Sequence, residues 1–552
     1  MSPLTPYAAI LLLALLYSSA CAAAPASPRV ALKIAAINDF HGWLQPSPER
    51  VRVMGPQAPL ESAVTAGGMP QLAAMIDRLR KQNPNFAFVS AGDLFGASPL
   101  LSATFDDEPT IEAMNAAGLD FNGVGNHEFD RGLADLRRMQ AGGCPPKGCK
   151  SGASFSGARF PFLAANVVVN ATGNTLFPPY GIKEYAGIKV AFVGLTLRAT
   201  GTMLSPQARA GIEFRDEAET VNALVPELRK QGVNTIVVLI HQGGFNRGGA
   251  NDCVDFQGPI VDVVERLDRA VSVVVSGHTH QAYICRFHEK LVTSAGAFGR
   301  FITEIDLELD RKTGLVLSAT AANRVVLPAM PASAEQAALL ERYVNLSGPL
   351  QRPIGYVRAA FSRAQNSDGE SRLGQLIADA HLAATKSAGA VVAFMNPGGI
   401  RAPLPFKDGG AITFADAYSV YPFDNSLVTM TLTGAELLGM LEQQWRGDYP
   451  RLLAVSAGFT YTWDSKATAG RRIVPGSVTI DGEPLEPARA YRITVNSYLA
   501  AGGDRFEVLA RGRDRVTGGN SRQAIVEYLQ TRSPLMPGEE RRIRRVDGEA
   551  TR

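Results

Sequence analysis

The sequence predicts a layered α/β protein of two domains joined by a helix. Short apolar runs rich in Val, Ile and Phe alternate with stretches of helical periodicity, and the pattern restarts after a proline-flanked helical segment near residues 333–345. At 552 residues the chain is also too long for one core. Composition agrees: 46% apolar and 19% charged residues describe a globular protein with a sizeable core, not a disordered or fibrous one. A net charge of +3 over this length excludes bulk attraction to nucleic acid or anionic lipid, so any anion recognition is local.

In chain order, the first feature is the apolar run Ala8–Leu16, followed by small residues to Ala24. It is too short to span a bilayer and resembles a secretory signal over residues 1–24, although Met1–Tyr7 holds no Lys or Arg. Cys21 follows Ser18-Ser19-Ala20, which resembles a bacterial lipoprotein cleavage box with Ser18 in place of an aliphatic residue, and is a candidate for lipidation. The expectation is export to the periplasm or cell envelope, with a lipid anchor as the only tie to a membrane. Of the other cysteines, Cys144-Pro-Pro-Lys-Gly-Cys149 can close a tight loop, which pairs Cys253 with Cys285 by elimination. A zinc knuckle is the alternative, but its spacing resembles no common site.

Val30–Ile37 reads as the first strand, the Ala/Gly/Pro-rich stretch Gln45–Gly68 as a long surface loop, Met69–Gln82 as a helix with Pro70 near its start, and Phe86–Ser90 as a strand. Lys189–Thr196, Thr235–Ile240 and Val271–Ser276 are short and apolar throughout, as strands covered on both faces are. The first domain is placed at 29–330 and a helical linker at 331–350, where Ser333–Asn345 lies between Pro328, Pro331, Pro349 and Pro353. The second domain, 351–535, shows a helix Arg372–Ala388, strands Val391–Met395 and Leu427–Leu432, a helix Thr433–Gln444 and a strand Tyr491–Val495. Residues 536–552 are charged and apolar-poor, and read as a solvated tail.

Five of the seven histidines stand just after an apolar run or within a Gly/Asn/Asp cluster, a distribution core packing does not explain. They fall in Asn38-Asp39-Phe40-His41-Gly42, Gly125-Asn126-His127-Glu128-Phe129-Asp130, His241-Gln242-Gly243 and Gly277-His278-Thr279-His280, with Ala91-Gly92-Asp93 between the first two. Spacing of i, i+2 in extended backbone aims Asp39 and His41 toward one point. Glycine beside Asp93 lets backbone approach closely and leaves its carboxylate free to bridge. Imidazole mixed with carboxylate and amide oxygen is transition-metal chemistry.

These five clusters, in this order, resemble the signature of the calcineurin-like metallophosphoesterases, and the resemblance implies a four-layer αββα domain. It further implies that Asp39, His41, Asp93 and His280 hold one divalent ion and Asp93, Asn126, His241 and His278 a second, with manganese, zinc, iron or cobalt all compatible. His127 is left free for catalysis, with Asp130 fixing its tautomer. Two such ions neutralise phosphoryl oxygens and favour direct attack of hydroxide on phosphorus, while His127 assists the leaving group.

Three clusters in the second half, Asn396-Pro397-Gly398-Gly399-Ile400-Arg401, Tyr421-Pro422-Phe423-Asp424-Asn425 and Asn496 to Asp504, resemble the smaller α/β substrate-recognition domain of the 5′-nucleotidase family. The likeness spans residues 30–535. It implies that Phe423 and Tyr498 sandwich the base, Asp504 accepts from ribose hydroxyls, and Arg401 with Asn396 contacts phosphate or ribose. Gly398, Gly399 and Asn425 complete the substrate-binding set, and Arg372 is a further candidate phosphate contact. Tyr498 stands where phenylalanine is common and Asp424 where glycine is, which leaves base preference open. With the base on one domain and the metals on the other, turnover is expected to need domain closure about the connecting helix. The implied protein is a monomeric, exported nucleotidase. Alternatives on the same scaffold are a 2′,3′-cyclic phosphodiesterase, a thiosulfohydrolase, and a noncatalytic nucleotide-binding surface protein.

Overall fold

A computed structural model describes residues 28–53, 62–145, 148–204, 209–348, 352–423, 425–447 and 449–547. The signal segment, Cys21 and Asp424 lie outside them.

Two six-stranded sheets form the centre of the first domain. One runs Val316–Val325, Phe301–Asp310, Arg29–Ile37, Phe86–Ser90, Phe121–Gly123, Phe162–Leu163; the other runs Ala282–Phe287, Lys290–Ala295, Val271–Ser276, Thr235–His241, Ile188–Thr196, Tyr180–Tyr185. Alternation decides which residues meet. Val30, Leu32, Ile34 and Ala36 face Val190, Phe192, Val237, Leu239, Val273 and Val275 between the sheets. Ala35, Ile37 and Phe88 point the other way, onto the helices Met69–Gln82 and Glu108–Ala117. Val238, Ile240 and Val274 meet the helices Glu217–Lys230 and Pro259–Arg266 on the far side. The layers are therefore helix, sheet, sheet, helix. Both disulfides form, Cys144–Cys149 and Cys253–Cys285.

The expected loop at Gln45–Gly68 is instead an antiparallel ribbon, in which Pro46–Val53 pairs with Ser62–Gly67. Composition suggested a loop, but Val51, Val64 and Ala66 pack on Ala295 and Phe301, and that burial outweighs weak strand propensity. The helix Ala334–Leu346 is not a bare spacer. Ser333 caps it, Tyr343 is fully buried against Phe105, and the Gln336 amide donates to the Ala113 carbonyl at 2.8 Å.

The second domain centres on the sheet Ala454–Val455, Val392–Met395, Ala490–Asn496, Ser426–Thr433, Arg513–Asn520, with Arg372–Thr385 and Ser521–Arg532 on one face and Gly434–Glu442 on the other. The chain end also departs from expectation. Ile543–Val546 adds a parallel strand to Phe459–Asp464, and Ile543 is buried. Arg542 forms a two-pronged ion pair with Asp379 at 2.7 and 3.0 Å, and the Glu370 carboxylate accepts the Arg542 and Ile543 amides at 2.6 and 2.9 Å. The acids that hold the basic tail lie more than 160 residues away in sequence.

Candidate active site

Arg29–Ile37, Phe86–Ser90 and Phe121–Gly123 run parallel in one sheet, Thr235–His241 and Val271–Ser276 in the other, so their carboxyl ends open on a common edge. The five histidine and aspartate clusters sit there, as ligand sites of parallel sheets do. Asp39, His41, Asp93, His278 and His280 all adopt left-handed backbone, with φ from 47° to 72°. Such conformations are unfavourable for side-chain-bearing residues and persist where surrounding structure over-determines them. Here the loops interlock: the Asp39 amide donates to the Gly92 carbonyl at 2.9 Å and the His41 amide to that of Asp93 at 2.8 Å. Gly92 and Gly125 lie too close for side chains, since a Cβ on Gly92 would fall 2.6 Å from the Gly125 nitrogen and one on Gly125 2.2 Å from Asp93 Oδ1.

The arrangement brings Asp39, His41 and His280 together as one group and Asp39, Asp93 and His241 as another, each with ligand atoms within 4.8 Å of one another. Nε2 of His241 lies 3.0 Å from Asp93 Oδ2, Nε2 of His41 lies 3.5 Å from the same oxygen, and Nε2 of His280 lies 3.3 Å from Asp39 Oδ1. His278 packs against the His241 ring, and its Nδ1 faces Asn126 Oδ1 at 3.0 Å. Asp39 belongs to both groups, and Asp93 Oδ2 faces both His41 and His241, one histidine from each expected ligand set.

These residues fit divalent cations. Nδ1 of His41 sits 2.7 Å from the Gly96 carbonyl and Nδ1 of His241 2.9 Å from that of Ala91, so each Nδ1–H is taken up and each Nε2 is turned toward the other ligand atoms. His241 Nε2 faces the Asp93 carboxylate at 3.0 Å, and the His41 and His280 Nε2 atoms face each other at 3.2 Å. Burial would raise the Asp39 carboxyl, but His280 and His241 outweigh it and hold it at about 2. Burial and the nearby His241 charge press His278 down to about 3. Burial would also lower His241, yet Asp93 and Asp39 lift it to about 10, so a dication there displaces a proton.

His127 lies at the rim. Its Nδ1 is 2.8 Å from Asp130 Oδ2, its amide donates to Asp93 Oδ1 at 2.9 Å, and its ring centre is 5.1 Å from that of His41. From the other domain, Phe423 comes within 6.1 Å of the His127 ring, and an Arg401 Nη2 lies 3.4 Å from His41 Nε2. Gly398 and Gly399 form the tight turn before Arg401, and the Gly398 carbonyl accepts from Arg401 Nη1 at 3.4 Å. Asn396 donates to Asp504 Oδ2 at 2.9 Å, and the Tyr498 hydroxyl to Oδ1 at 3.0 Å. Tyr498 and Asp504 line a cleft opposite Gln242, Phe245 and His278. Asn425 is committed internally, to the Tyr421 and Ser497 hydroxyls.

Arg372 does not join the site. Its guanidinium donates to the Glu540 carbonyl at 2.9 Å and to Gln375, because the docked chain end covers that helix start. Arg363 stands closer: it donates to the Ile400 carbonyl at 3.2 Å, and its charge is felt at both Arg401 and His280. The sequence reading also passed over Asn38 and Glu128. Asn38 donates to Asp39 Oδ2 at 2.7 Å and is itself pinned by Gly296 and Ala295. The buried Glu128 carboxylate accepts the amides of Asp93, Leu94 and Gly125, each at 3.0 Å, and so ties the Asp93 loop to its own Gly125–His127 loop. Each stands beside a motif histidine or aspartate, which was the available signal.

The fold and this donor set define a metallophosphoesterase-type scaffold carrying a second, substrate-recognition domain. Family models agree: calcineurin-like phosphoesterase matches residues 32–282, and the 5′-nucleotidase C-terminal domain matches residues 351–511. The chain belongs to the 5′-nucleotidase family. It is 32% identical over 510 residues to the endonuclease YhcR of Bacillus subtilis, covering 91% of this chain and 40% of that protein. It is 29% identical over 563 residues to the probable 5′-nucleotidase of Treponema pallidum, covering 87% of each. This chain therefore spans well under half the length of the first relative and most of the second. A crystal structure of a 5′-nucleotidase precursor from Thermus thermophilus superposes with a TM-score of 0.78 at 29% identity, over 94% of this chain and 99% of the other.

Proposed function

We propose that the protein is an exported, monomeric 5′-nucleotidase that hydrolyses nucleoside 5′-monophosphates to nucleoside and phosphate, with di- and triphosphates or nucleotide sugars as further substrates. The observation that carries this reading is the approach of the second domain to the two Asp/His groups of the first: Arg401 reaches His41, Phe423 reaches His127, and Tyr498 and Asp504 line a cleft with His278. Asp39, His41, Asp93 and His280 would hold one divalent ion and Asp93, Asn126, His241 and His278 the other, with Asp39 close enough to serve both. Bound there, such ions supply charge neutralisation for the phosphoryl oxygens and make a water more acidic.

The chain's own residues do the rest. Arg401 presents a guanidinium fork beside the metal groups, suited to phosphoryl oxygens, and Arg363 adds a second positive charge behind it. His127, steered by Asp130, is placed to hand a proton to the departing 5′-oxygen. Phe423 and Tyr498 offer aromatic faces for the base, and Asp504 an acceptor for ribose. No helix among the described residues is long and apolar enough to cross a membrane. Export rests on the N-terminal segment.

The test is phosphate release from AMP, 2′,3′-cyclic AMP and UDP-glucose, and sulfate release from thiosulfate esters, using metal-depleted protein and protein restored with manganese or zinc. Metal-dependent release with AMP preferred supports the reading; a strong preference for the cyclic substrate, or AMP binding with no hydrolysis under any metal, rejects it.

A further inference from the structure

The first turn of the helix Ser521–Arg532 grips the stretch that carries Phe423. The Ser521 amide donates to the Asn425 carbonyl at 2.8 Å, and Arg522 Nη1 donates to the Phe423 carbonyl at 3.0 Å while its guanidinium lies 4.4 Å over the Tyr418 ring. Asn425 in turn donates to the Tyr421 hydroxyl at 3.0 Å and accepts from the Ser497 hydroxyl at 2.9 Å. That turn is keyed from the neighbouring helix: Nε2 of His381, on Arg372–Thr385, lies 2.7 Å from the Ser521 hydroxyl. The rings continue the line, with His381 meeting Tyr421 edge-on at 6.2 Å between centres and Tyr421 meeting Phe423 at 5.8 Å. His381, Ser521 and Tyr421 are all fully buried.

Packing alone does not call for an imidazole at this position. Burial opposes its charged form, pressing it down to about 4, and its Nδ1 has no hydrogen-bond partner among the described residues. What the ring supplies is one directed bond to Ser521, the residue through which the helix start meets Asn425. Phe423 is therefore fixed from behind, by a chain of buried groups that no metal or phosphate contact requires. We propose that His381 and Ser521 are positioning residues that hold the Phe423 ring in place for stacking on the nucleobase, and so set how strongly the enzyme favours a nucleotide over a sugar phosphate that lacks the base. Because both are buried, each acts through Tyr421, Phe423 and Asn425 and not by touching substrate. The inference rests on the nucleotidase reading above.

The experiment compares kcat/KM for AMP and for ribose 5-phosphate, which keeps the sugar and the 5′-phosphate but has no base. It uses the metal-loaded wild type, His381→Leu, His381→Gln and Ser521→Ala, with adenosine affinity measured beside it by calorimetry. The wild type is expected to prefer AMP. His381→Leu and Ser521→Ala should lose about five- to tenfold of that preference through KM for AMP, as loss of one buried hydrogen bond predicts, with adenosine affinity falling by a similar factor. His381→Gln, whose amide reaches about as far as Nε2, should recover most of it. A merely structural lesion would weaken both substrates equally, so an unchanged ratio in His381→Leu and Ser521→Ala overturns the positioning role, as does equal loss in His381→Leu and His381→Gln. If His381→Leu does not fold, Ser521→Ala decides alone. A wild type with no preference for AMP over ribose 5-phosphate overturns the inference. If the wild type binds adenosine but hydrolyses neither substrate, the nucleotidase reading fails, and the adenosine affinities of the variants decide the positioning role by themselves.

Discussion

The His127 imidazole stands 5.1 Å from His41 and 6.1 Å from Phe423, ring centre to ring centre, so it faces the Asp/His groups on one side and the second domain on the other. Replacing it with alanine should lower kcat on AMP by about 10²- to 10⁴-fold with metal content retained, read by steady-state kinetics beside elemental analysis. Equal losses of metal and activity would show that His127 is a ligand instead. His381 has a different kind of role. It is fully buried, its Nε2 pairs with the Ser521 hydroxyl at 2.7 Å, and burial depresses it from 6.5 to about 4. The unfolded chain takes up this proton first, so His381 contributes stability above pH 6.5 that is lost as pH falls toward 4, up to about 3 kcal/mol. Urea unfolding at pH 7 and pH 5 should show that loss, and His381→Asn should reduce it. Residues were the most legible scale in the sequence, because metal chemistry needs few side-chain types at fixed spacing; Asn38, Glu128 and Arg363 escaped because amides, acids and arginines are common on any surface.

Strands covered on both faces, such as Phe86–Ser90 and Val271–Ser276, were readable because nothing polar interrupts them. The pair Phe301–Asp310 and Val316–Val325 was not read, although Phe301–Asp310 alternates apolar with polar residues toward its end. The helix Glu217–Lys230 was hidden by Pro226 in its interior. The largest error lies at the chain end, where local charge suggested solvation and distant acids impose docking. Arg542→Ala should therefore destabilise the second domain by about 2 to 4 kcal/mol, because Asp379 on the helix Arg372–Thr385 loses its two-pronged, buried partner just before the strand Ile543–Val546. Chemical denaturation measures this; a change under about 0.5 kcal/mol, the scale of a surface substitution, would mean the tail is only loosely seated.

The two domains meet on both flanks of the site. Trp43 and Phe298 pack with Ala402, Phe245 meets Tyr449, and Arg401 reaches His41, so the substrate-recognition face closes directly over the metal groups. None of these contacts has a sequence signature, since each joins residues hundreds apart whose types suit many environments. The order of the motifs nonetheless made the architecture legible, because each ligand follows a strand and parallel strands end on one edge. The account depends on that edge gathering two cations through shared carboxylates. Metal stoichiometry after reconstitution with manganese, by elemental analysis of wild type and Asp93→Asn, tests it most directly. Two ions per chain in the wild type and at most one in the variant are predicted; no bound ion in the wild type, or two in both proteins, would contradict it.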